Sequence, residues 1–352
     1  MNIRVKKLLK KMQEKGIDTL FISDEKNMHY YSGFYKGEGY LVINKNHLVV
    51  VTDSRYTEYA SNVCDGFEVK NIASCTYSDF VLDSDVCGFE DKSISYLAYS
   101  KINSMVKNLV PVGSMTDELR QVKDDGEIEL IKKAAHITDM AFTHICSYIK
   151  QGVSEKQVAA ELDSFMKKNG ADDIAFSTIC ASGIRASMPH AIPTDEKLQN
   201  GDFVVLDYGC TIGGYCSDMT RTVAVGSVSN EKKDIYNTVL EAQLMALDSL
   251  KEGVTGEYVD KIARDYLDRY YKGAFAHSLG HSVGLYIHES PNLSPRNKDV
   301  LKSGTVITVE PGVYLEGNTG VRIEDLTVVR ENGCEILSHS PKELIILGRI
   351  PH

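Results

Sequence analysis

Phe203-Val-Val-Leu-Asp207-Tyr-Gly209 and Thr305-Val-Ile-Thr-Val-Glu310-Pro-Gly312 are the two stretches that decide the fold. Each is a run of apolar and β-branched residues that ends in one carboxylate. Such a run reads as a buried strand. An acid at its end is desolvated, which is costly unless the group is paired, hydrogen-bonded or bound to a cation.

The surroundings of the two stretches also correspond. Gly152-Val-Ser154 recurs as Gly253-Val-Thr255 at an offset of 101 residues. Gly170 recurs as Gly273, Leu198 as Leu301, Gly201 as Gly304 and Asp207 as Glu310, each at 103. A near-constant offset running through these positions predicts an internal duplication. Each half then reads helix, helix, hairpin. In the first, a helix starts at the Asp124-Asp125 cap, carries Ile128, Ile131, Ala135 and Phe142 at helical spacing, and stops at Gly152. Ser154 followed by Gln157 is a capping box for the next helix, which ends near Gly170. The runs Phe203–Tyr208 and Met219–Val225 form a long hairpin around Gly213-Gly214.

Asp218 follows Asp207 by 11 residues and Glu324 follows Glu310 by 14, so each hairpin carries one carboxylate on each arm. Two such halves packed face to face would point four carboxylates into one cleft. His281 lies in His277-Ser-Leu-Gly-His-Ser-Val-Gly284, where Gly280 and Gly284 favour strand or loop over helix. The residue 103 places before it is Thr178, so the imidazole has no twin.

Before the duplication, residues 1–113 read as a smaller α/β domain, 114–124 as a polar linker and 125–352 as the second domain. Leu20-Phe-Ile22, Tyr40–Ile43 and Leu48–Val51 are expected strands, with turns at Glu38-Gly39 and Lys45-Asn46. Met1–Gly16 reads as a basic amphipathic helix; it has neither the apolar core nor the small-residue cleavage site of a secretory signal.

The 352 residues are 43% hydrophobic and 25% charged, with a formal net charge of -10. That balance argues against nucleic-acid binding, which needs a basic face. No stretch approaches the roughly 20 apolar residues of a membrane span, so no membrane partner is expected. Eight cysteines without a CxxC pair suggest reduced, packed thiols in the cytoplasm.

Six segments together carry a resemblance. They are Ser187-Met-Pro-His190; Gly201-Asp202 to Asp207-Tyr-Gly; Gly214-Tyr-Cys-Ser-Asp218-Met-Thr-Arg-Thr; His277-Ser-Leu-Gly-His281 to His288-Glu; Val309-Glu310-Pro-Gly-Val-Tyr314; and Gly320-Val-Arg322-Ile-Glu324-Asp. In order and spacing they resemble the creatinase/aminopeptidase P/prolidase family of pita-bread metallopeptidases. Asn27-Met-His-Tyr-Tyr-Ser-Gly33-Phe and Thr52-Asp-Ser-Arg55-Tyr56 resemble that family's amino-terminal module. The implied fold is mixed α/β (α+β): a pita-bread domain with a pseudo-two-fold duplication, preceded by a creatinase-type α/β domain.

The resemblance implies two divalent metal ions held by Asp207, Asp218, His281, Glu310 and Glu324. An oxygen-rich set with one imidazole suits Mn2+, with Co2+ or Zn2+ as substitutes. It implies attack on the scissile carbonyl by a metal-bridging hydroxide, with Glu310 taking the proton and with His190 and His288 as catalytic histidines. His277, Tyr314 and Arg322 would bind substrate, Tyr314 and Arg322 in supporting roles, with Arg322 balancing the surplus negative charge of the four carboxylates. The expected substrate is a peptide with proline at the second position, and the expected assembly a homodimer.

A compact chain without an insertion to cap the cleft favours an aminopeptidase P acting on the free amino terminus of longer peptides. The alternative is a prolidase, which cleaves only Xaa-Pro dipeptides. Methionine aminopeptidase and a non-catalytic pseudo-peptidase are lesser readings, and metal content separates the latter from an enzyme. Gly280-His-Ser282-Val-Gly284 matches the nucleophile elbow of serine hydrolases. That elbow needs a helix after the serine, and Gly284, Pro291 and Pro295 exclude one.

Overall fold

Thr19–Ile22 is a hub strand, antiparallel to Gly39–Asn44 on one side and parallel to Val86–Phe89 on the other. Leu48–Thr52 and Glu68–Asn71 extend the sheet beyond the first neighbour, and Asn108–Pro111 beyond the second. In this computed structural model, which describes residues 2–81 and 84–348, the sheet organises the first of two units, Met1–Arg120. The helix expected at the start spans Ile3–Glu14. Asn2 caps it by accepting from Val5 N, and its buried stripe is Val5, Leu8 and Met12. Met1 lies outside the described residues. Met115 and Thr116 are buried, and Glu118–Arg120 is a short 3-10 turn, so the first unit continues through residues expected to be linker.

The second unit, Gln121–His352, is built twice. Asp125–Tyr148 and Glu155–Lys168 are the helices of its first half, with reciprocal capping boxes at Asp124/Glu127 and Ser154/Gln157. Asn230–Ser249 and Gly256–Leu267 are those of the second. One sheet orders Ile346–Leu347, Met219–Val225, Phe203–Tyr208 and Ile179–Ser182; the other orders Glu289–Leu293, Gly280–Ser282, Val306–Val309, Asp325–Arg330 and Gly333–Ile336.

The duplication holds at the level of single hydrogen bonds. Gly152 N donates to Leu198 O at 2.9 Å, and Gly253 N to Leu301 O at 3.0 Å. Gly201 N donates to Val225 O at 2.8 Å, and Gly304 N to Val329 O at 2.9 Å. Gly152 and Gly253 share a φ of +88°, a left-handed value that glycine adopts without strain. Each half has its own core. Ile145, Leu162, Val204 and Leu206 pack in one, and Val239, Val259, Ile307 and Val309 in the other. Full burial of one such side chain stabilises by roughly 1.5–3 kcal/mol.

Strand register corrects the expected counterpart of His281. Asp207 lies opposite Ile179. Ser282 lies opposite Ile307, and Glu310 N donates to Leu279 O. Ile179 and Leu279 are therefore equivalent, and Ala181, not Thr178, occupies the place of His281. The offset slips from 103 to 100 between these strands. No helix among the described residues is long and apolar enough to cross a membrane.

Candidate metal centre

The two hairpins deliver their carboxylates to one place. Phe203–Tyr208 pairs with Met219–Val225, setting Asp207 opposite Thr220. Val306–Val309 pairs with Asp325–Arg330 in the register Val309↔Asp325; continued by one residue, it sets Glu310 beside Glu324. The halves meet edge to edge. Thr222 Oγ1 donates to Arg322 O at 2.9 Å, and Glu324 N donates to Thr220 O at 3.1 Å.

Ligand atoms of Asp218, His281 and Glu324 all lie within 4.8 Å of one another. His281 Nε2 is 3.3 Å from Glu310 Oε1 and 3.6 Å from Asp218 Oδ2. The strand bearing His281 lies so close to its neighbour that a Cβ on Gly280 would meet Thr308 O at 2.0 Å; glycine is required there. His281 Nδ1 donates to Ser282 O at 3.2 Å, leaving Nε2 with its lone pair toward the carboxylates. Despite the short distances, this imidazole is not the cation of an ion pair. Burial, followed by the charge of His288, pushes it down to about 4.

The carboxylates move the other way. Burial, then the charges of Glu324, Asp207 and Glu310, hold Asp218 well above the usual carboxylate range. Burial, then Glu310 and Asp207, does the same to Glu324. Burial pushes Glu310 up to about 8 against the lowering pull of Arg322. Asp207 Oδ1 and Glu324 Oε1 are buried with no hydrogen-bond partner among the described residues. Orphaned buried oxygens, mutually repelling acids and one neutral imidazole are a donor set for hard divalent cations. The residues present fit the metal ions that the sequence implies.

Two threonines support this set, and sequence reading missed both. Thr220 Oγ1 donates to Glu324 Oε2 at 2.7 Å, and Thr308 Oγ1 to Glu310 Oε1 at 3.1 Å. Each stands two residues from an acid, Thr220 after Asp218 and Thr308 before Glu310. That is the strand period that puts two side chains on one face. This spacing was the signal available in the sequence.

Arg322, expected to bind substrate and to balance the carboxylates, is buried and makes four hydrogen bonds to protein. Its Nη2 donates to Asp207 Oδ2 at 2.5 Å, Nε to Thr220 Oγ1 at 3.0 Å, and Nη1 to Tyr314 Oη at 2.8 Å and to Pro189 O at 3.3 Å. Tyr314 Oη lies 2.9 Å from His277 Nε2, and His277 Nδ1 lies 2.8 Å from Ser278 O. The chain of donors runs from Arg322 to Tyr314 to His277, with Nε2 of His277 accepting. Burial, then the charge of Arg322, pushes His277 down to about 4, and burial pushes Tyr314 up to about 12.

His190 and His288 are exposed. The ring of His288 lies against that of His281, with centroids 4.3 Å apart. Burial and then the charge of His190 hold His288 below the usual histidine range. Ser282 is fully buried and precedes turns and a strand, so it cannot serve as an exposed nucleophile.

Residues 129–331 match the description "Metallopeptidase family M24", and residues 4–122 match "Creatinase/Prolidase N-terminal domain". The Xaa-Pro dipeptidase of Pyrococcus furiosus is 38% identical over 98% of this chain and 100% of that one. A solved structure described as an Xaa-Pro dipeptidase from Bacillus anthracis is 41% identical, with a TM-score of 0.95 over 98% of this chain and 99% of that chain. The X-Pro aminopeptidase structure from Thermotoga maritima is 38% identical, with a TM-score of 0.90 over 98% of this chain and 100% of that one. Matched end to end by these relatives and by both family descriptions, the protein is a hydrolase acting on peptide bonds, and the chain belongs to metallopeptidase family M24.

Proposed function

We propose that this protein is a proline dipeptidase. It hydrolyses the Xaa-Pro bond of dipeptides with two divalent cations, expected to be Mn2+, held by Asp207, Asp218, His281, Glu310 and Glu324. The observation that supports the length preference is the end-to-end likeness to a chain named Xaa-Pro dipeptidase. Compactness had favoured aminopeptidase P. A dipeptidase fully spanned by this chain removes that reason, because a compact chain of this length also carries the dipeptidase name. A cytoplasmic homodimer belongs to the same proposal.

When bound, the cations supply Lewis acidity that polarises the scissile carbonyl and eases deprotonation of water. The protein groups do the rest. Glu310, at the end of the Val306–Val309 strand and beside Glu324, is the carboxylate placed to take the proton of the attacking water. His190 and His288 stand at the exposed side, where an imidazole N–H can stabilise the oxyanion. The proline nitrogen carries no hydrogen in the peptide bond, so it must gain a proton as the C–N bond breaks. His288, held below its ordinary range by burial and then by the charge of His190, gives up a proton more readily than an ordinary histidine and can pass one on to that nitrogen. Arg322 fixes Asp207 and Tyr314 through its planar fork.

Comparing kcat/KM on an Xaa-Pro dipeptide and on the matching Xaa-Pro-Yaa tripeptide tests the length preference. A dipeptidase favours the first by at least about tenfold, the equivalent of about 1.4 kcal/mol in transition-state binding. Faster cleavage of the tripeptide would return the protein to the aminopeptidase P class.

A further inference from the structure

Two of the site histidines sit on irregular segments, and each segment is fastened to a helix by a buried carboxylate. In the first half the carboxylate is Glu155, the first residue of the Glu155–Lys168 helix, which is 0% exposed. Its Oε1 accepts from Ser182 N at 2.8 Å and Ser182 Oγ at 3.0 Å. Its Oε2 accepts from Thr194 N at 3.0 Å, Thr194 Oγ1 at 2.9 Å and Arg185 Nε at 3.0 Å. Arg185 Nη2 then donates to Ile192 O at 2.6 Å. Both ends of the 182–194 segment thus close on one carboxylate, and the exposed His190 lies between them.

In the second half the carboxylate is Asp260, buried in the Gly256–Leu267 helix. Its Oδ1 accepts from Leu279 N at 3.0 Å, and both its oxygens hold Arg264, at 2.7 and 2.8 Å. Arg264 donates to Phe275 O at 2.8 Å and to His277 O at 2.7 Å. The segment 275–279 is fastened across its length, with His277 at its centre.

The two devices are not copies of each other. Thr255 repeats the cap of Ser154, yet Gly256 stands where Glu155 would be repeated. The acid has moved four residues along the helix, and the arginine has moved from the segment onto the helix. The chemistry recurs although the residues do not. The two fastened segments converge on one guanidinium: Arg322 Nη1 donates to Pro189 O, next to His190, and to Tyr314 Oη, which meets His277 Nε2.

We propose that Glu155 and Asp260 are positioning residues that fix His190 and His277 for turnover, each through a carboxylate–arginine clamp in its own half. The proposal rests on the reading of those histidines as site residues. A clamp that acts through one histidine has no effect once that histidine is gone, whereas a group that only stabilises the fold acts in any background.

The test is a double-mutant cycle in the full-length, Mn2+-loaded protein, read together with backbone hydrogen exchange. Glu155→Gln places an amide donor among groups that all donate. It is expected to lower kcat on an Xaa-Pro dipeptide about tenfold, and by less than about twofold in a His190→Ala background. Asp260→Asn should behave likewise against His277→Ala, and should keep its full effect against His190→Ala. An equal loss in both backgrounds overturns the proposal. Exchange gives a readout that needs no activity. Faster exchange in 182–194 for Glu155→Gln, and in 275–279 for Asp260→Asn, supports the clamps; unchanged exchange overturns them. If the unaltered protein cleaves no Xaa-Pro dipeptide, the functional reading fails, and exchange alone decides the clamps. Should Glu155→Gln not fold, Arg185→Ala enters the same cycle with the same two outcomes.

Discussion

Arg322 Nη2 of the second half lies 2.5 Å from Asp207 Oδ2 of the first. The ion pair ties the two copies of the duplicated unit together at the carboxylate cluster. The other nitrogens of the same guanidinium hold Thr220, Tyr314 and Pro189. Removing one partner of a buried pair leaves an uncompensated charge and costs about 3–5 kcal/mol. Arg322→Met is therefore expected to lose stability on that scale in chemical denaturation. Arg322→Lys keeps the charge but not the planar fork, so it should recover only part of the stability and little of kcat. A lysine variant with unaltered stability and turnover would contradict the role assigned to the fork.

Metal affinity should depend on pH in a defined direction. Asp218 and Glu324 are held well above their ordinary range, and Glu310 is pushed up to about 8. Without cations these acids carry protons near neutral pH, and a binding cation must displace them. Affinity for Mn2+ therefore falls as pH drops below about 8. The sign for stability is opposite. A carboxyl group raised by folding favours the folded state fully below its unfolded value of about 4.3. That contribution is lost as pH rises through the folded value, so the cation-free protein weakens toward pH 8. Calorimetric titration with Mn2+ at pH 7, in buffers of unlike ionisation heat, should show net proton release. Binding heat independent of the buffer would refute this.

Asp218→Asn separates binding from folding. The substitution removes an acid whose ionisation is opposed by burial and by Glu324, Asp207 and Glu310. The cation-free variant should unfold at the same temperature as the parent or a higher one, while turnover disappears and metal content falls. A variant that retains full activity would remove Asp218 from the ligand set.

Ser282→Ala tests the nucleophile-elbow motif. Ser282 Oγ is buried without a hydrogen-bond partner among the described residues. Deleting it should leave kcat unchanged and recover up to about 1 kcal/mol of stability. Inactivation by this substitution, or by a serine-directed fluorophosphonate, would instead make Ser282 the nucleophile.

Much of this arrangement is legible in the chain itself, for local reasons. Asp124 and Ser154 are followed three residues later by Glu127 and Gln157, and both pairs close reciprocal capping boxes. The strands ending at Asp207 and Tyr208 and before Glu310 announce themselves by apolar runs. The duplication shows because glycines at helix and strand ends tolerate little else. Other features depend on contacts between residues far apart in sequence. A three-residue slip hides Ala181 as the counterpart of His281, since a constant offset cannot register an insertion. The charge-balancing role of Arg322 is legible from the surplus of carboxylates, but its partners are not, because all four come from segments 8 to 133 residues away. The clamp at Glu155 spans 27 to 39 residues and has no periodic signature. Length preference was the least legible of all, since a compact chain fits either peptidase.

Reconstitution decides most directly whether two bound cations drive hydrolysis. The protein is stripped by a chelator until elemental analysis finds no transition metal, and hydrolysis of an Xaa-Pro dipeptide is followed before and after Mn2+ is restored. Turnover is expected to be lost on stripping and to return with two equivalents of Mn2+ per chain. Unchanged hydrolysis by protein shown to be metal-free would contradict this expectation.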